Sequence, residues 1–394
     1  MQIQGIDSLQ PGDILGKSLF NSRGDLLLAS GYELDDDTIA LMRSRGIMYV
    51  HVMNELTKDI QPQELISDTV RHMASKEVGD VFKAVAAVEP VKGDNVGDIK
   101  QEIEKGNKYK NMVKMPSMRR VVSTILEEVL SNASVMFSSM RMRAEDDGAD
   151  YEHAVDTTVL CIMMGRSFHY SQSELRQLGV AAMLHDIGKV ILGDLRNKKP
   201  YEMNADERML LREHPIYSSV ILRENDDAAF VEQTVVMQHH EQLDGNGFPR
   251  ELKASGLPPT KSNQREGEIH RFAQVLAVAN IYDNLVTGVM DERVYTPEEA
   301  VTAILTGRVG SWNSHVVKAL VRSVQCYPVG IQVRIKNNRA KKFIGYRGVI
   351  AKENPELQTN PAIILTHNGS DGELKPPKLM DFKDEEAMEL EIVM

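Results

Sequence analysis

The stretch LGVAAMLHDIGK spans residues 178–189. Its small and apolar residues read as a helix. The chemistry comes only at the end, as His185 and Asp186 ahead of Gly188 and Lys189. Glycine is a common stop just past a helix end, so the His-Asp pair is expected at a C-terminus, where the backbone is free to turn.

Working outward, four more histidines fall where helices are expected to begin or end. His153 opens HAVDTTVLCIMMG. His214 precedes Pro215 in REHPIYSS, which places it at an N-cap with proline at the first helical position. His239 and His240 close a helix beginning near Val231 and lead into EQLDGNGFP. The separations are 32 (185 − 153), 29 (214 − 185) and 25 (239 − 214) residues. Adjacent ligands on a helix lie about 100° apart, so His185-Asp186 and His239-His240 can each serve one centre only near a helix end. Imidazoles and a carboxylate with no thiolate nearby suit iron, manganese or zinc. A single buried histidine is ordinarily a core residue with satisfied hydrogen bonds. His51, His72, His169, His270, His315 and His367 are read that way, or as surface residues.

Around this set the chain divides into four. Residues 1–53 read as a small α+β unit, with short apolar runs, turn signals at Pro-Gly and Arg-Gly, and a helix with Asp36 or Asp37 as N-cap and Gly46 as its stop. A sensory or docking role and a structural cover are both open to it. Residues 54–116 are polar and read as a partly helical linker. Helical periodicity then holds over 117–325, as in MRRVVSTILEEVLS, FVEQTVVMQ, RFAQVLAVANIYDNLV and HVVKALVRSV. Residues 326–394 alternate like strands in VGIQVRIKN, KKFIGYRGVIA and PAIILTHN. The fold class is therefore mainly α, an all-helical domain between a small α+β unit and a β-rich C-terminal segment.

Composition narrows the function. With 46 basic and 57 acidic side chains the net charge is −11, which argues against a bulk nucleic-acid or anionic-membrane surface. A small phosphate-bearing ligand held by local cations remains open. Neither a leader nor an apolar run near 18 residues is visible. Two cysteines in 394 residues fit a reducing cytoplasm.

HDIGK at 185–189, His153 upstream, His214-Pro215, and HHEQLDGNGFP at 239–249 resemble the HD-GYP branch of the HD phosphohydrolases, over about residues 117–325. LQPGD resembles the small domain often found ahead of such domains. The resemblance implies hydrolysis of cyclic di-GMP to pGpG, and often on to GMP, at two divalent transition metals. Iron or manganese is expected, with zinc, nickel or cobalt as alternatives. It implies that His153, His185 and Asp186 hold the first metal, and that Asp186 bridges to a second held by His214, His239 and His240. Lys189 would face the phosphate, and Asp283 would protonate the leaving oxygen or position water; both also read as solvated side chains. Asp244, Gly245, Gly247, Phe248 and Pro249 would line the substrate groove, with Arg293 meeting phosphate. Four positions depart from the family pattern. Phe248 stands for the motif tyrosine, Asn280 for a metal-binding aspartate, Thr296 for a second cation after Arg293, and Ala149 for a glutamate ligand of trinuclear members. The segment after the loop, KASGLPPTKSNQREGEIHR, also looks longer than usual. At most two metals are therefore expected. Hydrolysis is the favoured reading. A receptor or scaffold that binds nucleotide or protein without turnover is the alternative, as is a nucleotidase of another phosphoester. Signalling proteins are the further partners implied.

Overall fold

The computed structural model describes residues 1–21, 26–58, 60, 62–88, 108–140, 149–290, 293–338 and 341–393. The middle of the expected linker, from residue 89 to 107, lies outside the described residues.

In the N-terminal unit, β1 (Gln2–Gly5) pairs antiparallel with β4 (Tyr49–Val52), and β2 (Leu19–Phe20) with β3 (Leu26–Leu28). Between the two pairs in sequence lies α1 (Asp36–Ser44). Its N-cap is Asp35, whose carboxylate accepts from the Thr38 amide at 2.7 Å, one residue earlier than the sequence suggests. Gly46 does terminate it, at φ 68. The unit has a core of its own, from Ile6 to Val52, but Ile3 and Tyr49 belong to the main core.

Residues 68–86 are a helical part of the segment read as a partly helical linker, and they pack into the bundle. They form α2 (Asp68–Ala86), whose inner face, Ala74, Val78 and Phe82 among others, is buried in the main core. Arg71 Nη1 meets Asp156 Oδ1 at 2.6 Å with both side chains buried. Removing one partner of such a pair costs roughly 3–5 kcal/mol, because the other charge is left buried alone. The charged composition of the segment hid one apolar stripe.

The bundle continues with α3 (Met115–Ser131), α4 (Ala149–Arg166) and α5 (Gln172–Leu184). After a 3-10 segment (Ile187–Asn197) come α6 (Ala205–Leu211), α7 (His214–Arg223), α8 (Phe230–Gln238) and α9 (Arg271–Val286), then α10 (Pro297–Leu305) and α11 (Ser314–Ser323). Helices α4 and α9 are buried on nearly every face. A helix apolar all round sits in the middle of a domain, and these two carry His153 and Asp283 into its centre. No helix among the described residues is long and apolar enough to cross a membrane.

The C-terminal segment is a five-stranded antiparallel sheet in the order β8-β7-β6-β5-β9. Its strands are β5 (Gln332–Asn337), β6 (Arg347–Lys352), β7 (Ala362–His367), β8 (Glu373–Asp381) and β9 (Glu389–Ile392). The last two are not evident from sequence. Pro376 and Pro377 argue against a strand, yet β8 is an edge, where proline is tolerated. The sheet meets the N-terminal unit where the Ile3 amide donates to the Gly330 carbonyl at 2.8 Å.

Candidate metal centre

The ends of three helices and the side of one converge on Asp186. Helix α5 is fixed at its start by a capping box between Ser171 and Glu174, and ends with His185 as its C-cap. His214 is the first residue of α7, with Glu213 as N-cap and Pro215 next. This shifts the expected N-cap by one residue. His239 is the C-cap of α8, and His240 follows it. His153 differs from expectation: it sits in the second turn of α4, pointing sideways into the centre, not at a helix end.

Gly188 also differs. It is not a left-handed stop. A Cβ there would lie 2.2 Å from the His214 carbonyl oxygen and 2.5 Å from the Ser218 amide, so glycine is needed for close approach. Its own amide donates to Ser218 Oγ at 2.8 Å, and that hydroxyl donates to the His185 carbonyl at 2.7 Å. Ser218, one helical turn after His214, thus ties the His185-Asp186 turn to α7. Sequence reasoning gave Ser218 no role; its spacing from His214 was the available signal.

The two oxygens of Asp186 face different histidines. Oδ1 lies 3.1 Å from His214 Nε2 and 3.7 Å from His239 Nε2. Oδ2 lies 3.2 Å from His185 Nε2, 3.7 Å from His153 Nε2 and 2.6 Å from Lys189 Nζ. Two ligand groups result, Asp186-His214-His239-His240 and His153-His185-Asp186, each with its ligand atoms within 4.8 Å of one another. All are buried except the half-buried His240.

Hydrogen bonding fixes which nitrogen faces in. The Nδ1 atoms of His185, His214 and His239 lie 2.6–2.7 Å from the carbonyl oxygens of Ala182, Leu211 and Val236. A carbonyl can only accept, so these Nδ1 atoms carry the proton and each neutral ring turns a bare Nε2 inward. His153 Nδ1 does the same with Asp283 Oδ2 at 2.7 Å. The bare nitrogens come within 3.3 Å of each other between His153 and His185, and within 3.2 Å between His214 and His239. Neither pair can hydrogen-bond in this tautomer. Asp186 Oδ1 is likewise buried with no donor. Converging lone pairs and an orphaned carboxylate oxygen are what divalent cations satisfy, so the residues fit a two-metal set bridged by Asp186.

Electrostatics agree. Burial opposes ionisation of Asp186, but His185 and Lys189 outweigh it and hold the carboxyl well below its usual range. Burial, with neighbouring imidazoles, pushes His239 and His240 well down, and burial lowers His214. His214, His239 and His240 are therefore held neutral at pH 7 and the aspartate is charged.

The loop after His240 is shaped by a residue that sequence reasoning left without a role. Buried Glu241 accepts from the Arg250 and Leu252 amides, both at 2.8 Å, and so cinches the loop at its base. Its position directly after the paired histidines was the only signal. Gly247 fits there because a Cβ would lie 2.3 Å from the Gln242 amide. Gly245 adopts φ 87, and exposed Asp244 turns back to Asn246, accepting from its amide at 3.0 Å. Phe248, joined to Pro249, stacks on His240 at 4.5 Å and 17°, and the Arg212 guanidinium lies 4.6 Å from the Phe248 ring centroid. The ring thus backs a ligand, which a phenylalanine does as well as a tyrosine.

Three of the expected site residues have protein partners here. Asp283 is fully buried behind His153 and orients that ring. Asn280 Oδ1 accepts from Asn284 Nδ2 at 2.8 Å, one turn along α9. Arg293 lies over the Tyr295 ring at 4.2 Å and pairs with Glu299 at 3.3 Å. Thr296, in place of a cation, caps α10 by a reciprocal box with Glu299. The long segment after the loop is pinned to the bundle: Asn313 Nδ2 donates to the Leu257 carbonyl at 2.8 Å and Gln238 Oε1 accepts from the His270 amide at 2.7 Å.

Comparison with known proteins agrees with this geometry. Residues 124–312 match the family described as HD domain. A cyclic di-GMP phosphodiesterase of Pseudomonas aeruginosa is 28% identical over 223 residues, 56% of this chain and 50% of the relative. A cyclic di-GMP phosphodiesterase response regulator of Xanthomonas campestris is 27% identical over 153 residues, 39% and 37% of the two chains. A 3'3'-cGAMP-specific phosphodiesterase of Vibrio cholerae is 25% identical over 149 residues, 38% and 26%. The chain thus spans half or less of the length of these relatives.

Proposed function

We propose that this chain, whose residues 124–312 match the HD domain family, is a metal-dependent phosphodiesterase of cyclic dinucleotides, cyclic di-GMP first, giving pGpG or GMP. The observation that carries this is the split of the Asp186 carboxylate between two histidine groups. Bound there, divalent metals supply Lewis acidity toward phosphoryl oxygen and activate water near neutral pH.

The chain's own residues account for the rest. Asp186 holds both half-sites in one frame. Lys189, ion-paired to Asp186 Oδ2 at 2.6 Å, places a cation where a phosphate would meet the first half-site. Asn280 is proposed as a weak neutral ligand through its second lone pair, which makes the His153-His185 metal the more labile. The loop from Asp244 to Pro249 would bound the substrate. Arg293 would meet phosphate only after leaving Glu299. Iron or manganese fits the donor set better than a thiolate-seeking metal. The two buried free cysteines fit a bacterial cytoplasm, where such signalling molecules and their protein partners act.

The test is anaerobic loading with iron or manganese, metal analysis and cyclic di-GMP hydrolysis by wild type and Asp186→Asn. The variant keeps the shape and removes the charge, and turnover is expected to fall at least about a hundredfold with metal content reduced. Wild-type turnover by Asp186→Asn removes the proposal. Binding without hydrolysis by the fully metallated wild type would favour the receptor reading.

A further inference from the structure

A cavity of about 340 Å³ lies between the N-terminal unit and the helical bundle. One wall is the outer face of the first half-site, with His153 and Lys189. The opposite wall is the N-terminal unit: Ile6, Ile47 and Met48, with exposed Arg43 beside them. Val289 and Val294 close the sides. The unit gives five of the sixteen lining residues, although nothing in its sequence carries catalytic chemistry.

The wall is fixed. Ile3 and Tyr49 lie in the main core. The amino group of Met1 donates to the Thr57 and Ile60 carbonyls at 2.6 and 2.7 Å. The Ile6 amide donates to the Met48 carbonyl at 2.9 Å, which locks the two wall segments together.

Size and lining suggest an occupant. The volume is at the lower end of ligand pockets, about 300–1,000 Å³, enough for one base and sugar but not a whole cyclic dinucleotide. Aliphatic side chains from both walls alternate with polar ones, and Asp150, Glu152, Asn284 and Thr287 are able to meet a base edge. Among the described lining residues, His153 belongs to the metal set and Lys189 is paired to Asp186. We propose that the N-terminal unit is a wall of the substrate site, its half-buried Met48, backed by Ile6 and Ile47, receiving one base of the nucleotide whose phosphate reaches Lys189. This rests on the phosphodiesterase reading above.

Calorimetric titration of the metal-loaded full chain with GMP tests the cavity directly. Met48→Trp fills it from the half-buried N-terminal side, and Met48→Leu controls for the site. GMP affinity should fall at least about tenfold in the tryptophan variant and stay within about twofold in the leucine variant. The KM for cyclic di-GMP should rise in parallel, while the content of bound metal stays at the wild-type level. Where Met48→Trp does not fold, Met48→Phe gives the same sign with a smaller effect. Absence of GMP binding by wild type, unchanged GMP affinity in the filled variant, or loss of bound metal in that variant overturns the inference. A wild type that binds GMP in the cavity but leaves cyclic di-GMP intact would instead remove the substrate assignment and leave the cavity assignment standing.

Discussion

Asp283 Oδ2 stands 2.7 Å from Nδ1 of His153, on the side of the ring away from Asp186. The carboxylate can only accept, so it fixes the tautomer that leaves His153 Nε2 bare. Partners of this kind hold a ligand's orientation and raise its basicity, and their loss typically costs about 10–100-fold in metal affinity or activity.

Asp283→Ala is therefore expected to lose metal from the His153-His185 group first, by about 10–100-fold in affinity. Asp283→Asn, whose amide oxygen can still accept from Nδ1, should retain more. Metal titration of both variants, with circular dichroism as a fold check, reads the difference. If Asp283 were instead a proton donor to the leaving oxygen, Asp283→Ala would keep wild-type metal affinity and lose only turnover, with a shifted pH profile.

His51 gives a pH prediction away from the metal set. Burial first, then the Lys17 ammonium, push its imidazole down to about 4 from 6.5, against the opposing pull of Glu64. The folded state therefore prefers neutral His51. The stabilisation is complete above the unfolded value of 6.5 and is lost as pH falls toward 4. Within that window the slope is about 1.4 kcal/mol per pH unit, so about 2 kcal/mol has gone at pH 5. The buried metal-site histidines act in the same direction, so the comparison must be with a variant. His51→Gln, metal-free, is expected to lose about 2 kcal/mol less than wild type between pH 7 and pH 5 in urea unfolding. Equal losses would mean that His51 is not buried neutral.

The sequence was most legible where one signal was dense. The ranges of α8 and α9 follow from apolar content alone, and five histidines with Asp186 do meet at one place. What escaped was of two kinds. Helix α2 was masked because its outer face is charged while its inner stripe packs against a distant part of the chain, with Arg71 answered by Asp156 85 residues away. Glu241, Ser218 and Asp283 escaped because each acts through a backbone or ring contact that becomes local only after folding. The cavity is legible from neither half alone, since its lining pairs Ile6, Ile47 and Met48 with His153, Lys189, Val289 and Val294 from far along the chain.

Gly188 offers the sharpest test of how the two half-sites are held together. A methyl there would meet the His214 carbonyl at 2.2 Å and the Ser218 amide at 2.5 Å, both backbone or near-backbone atoms that cannot swing aside. Overpacking of this kind typically costs about 1–3 kcal/mol. Relief would come by moving α7 away from the His185-Asp186 turn, and α7 carries His214. Gly188→Ala is thus expected to lower stability by about that amount and to strip metal from the Asp186-His214-His239-His240 group, while the His153-His185 group keeps its ligands. Ser218→Ala removes the hydroxyl that links Gly188 to His185 but adds no atoms, so its cost should be nearer about 1 kcal/mol with metal content largely kept. Urea unfolding and metal analysis of both variants separate steric spacing from hydrogen bonding. Wild-type stability and two bound metals in Gly188→Ala would show that the turn and α7 are not in contact, and the bridged arrangement around Asp186 would fall with it.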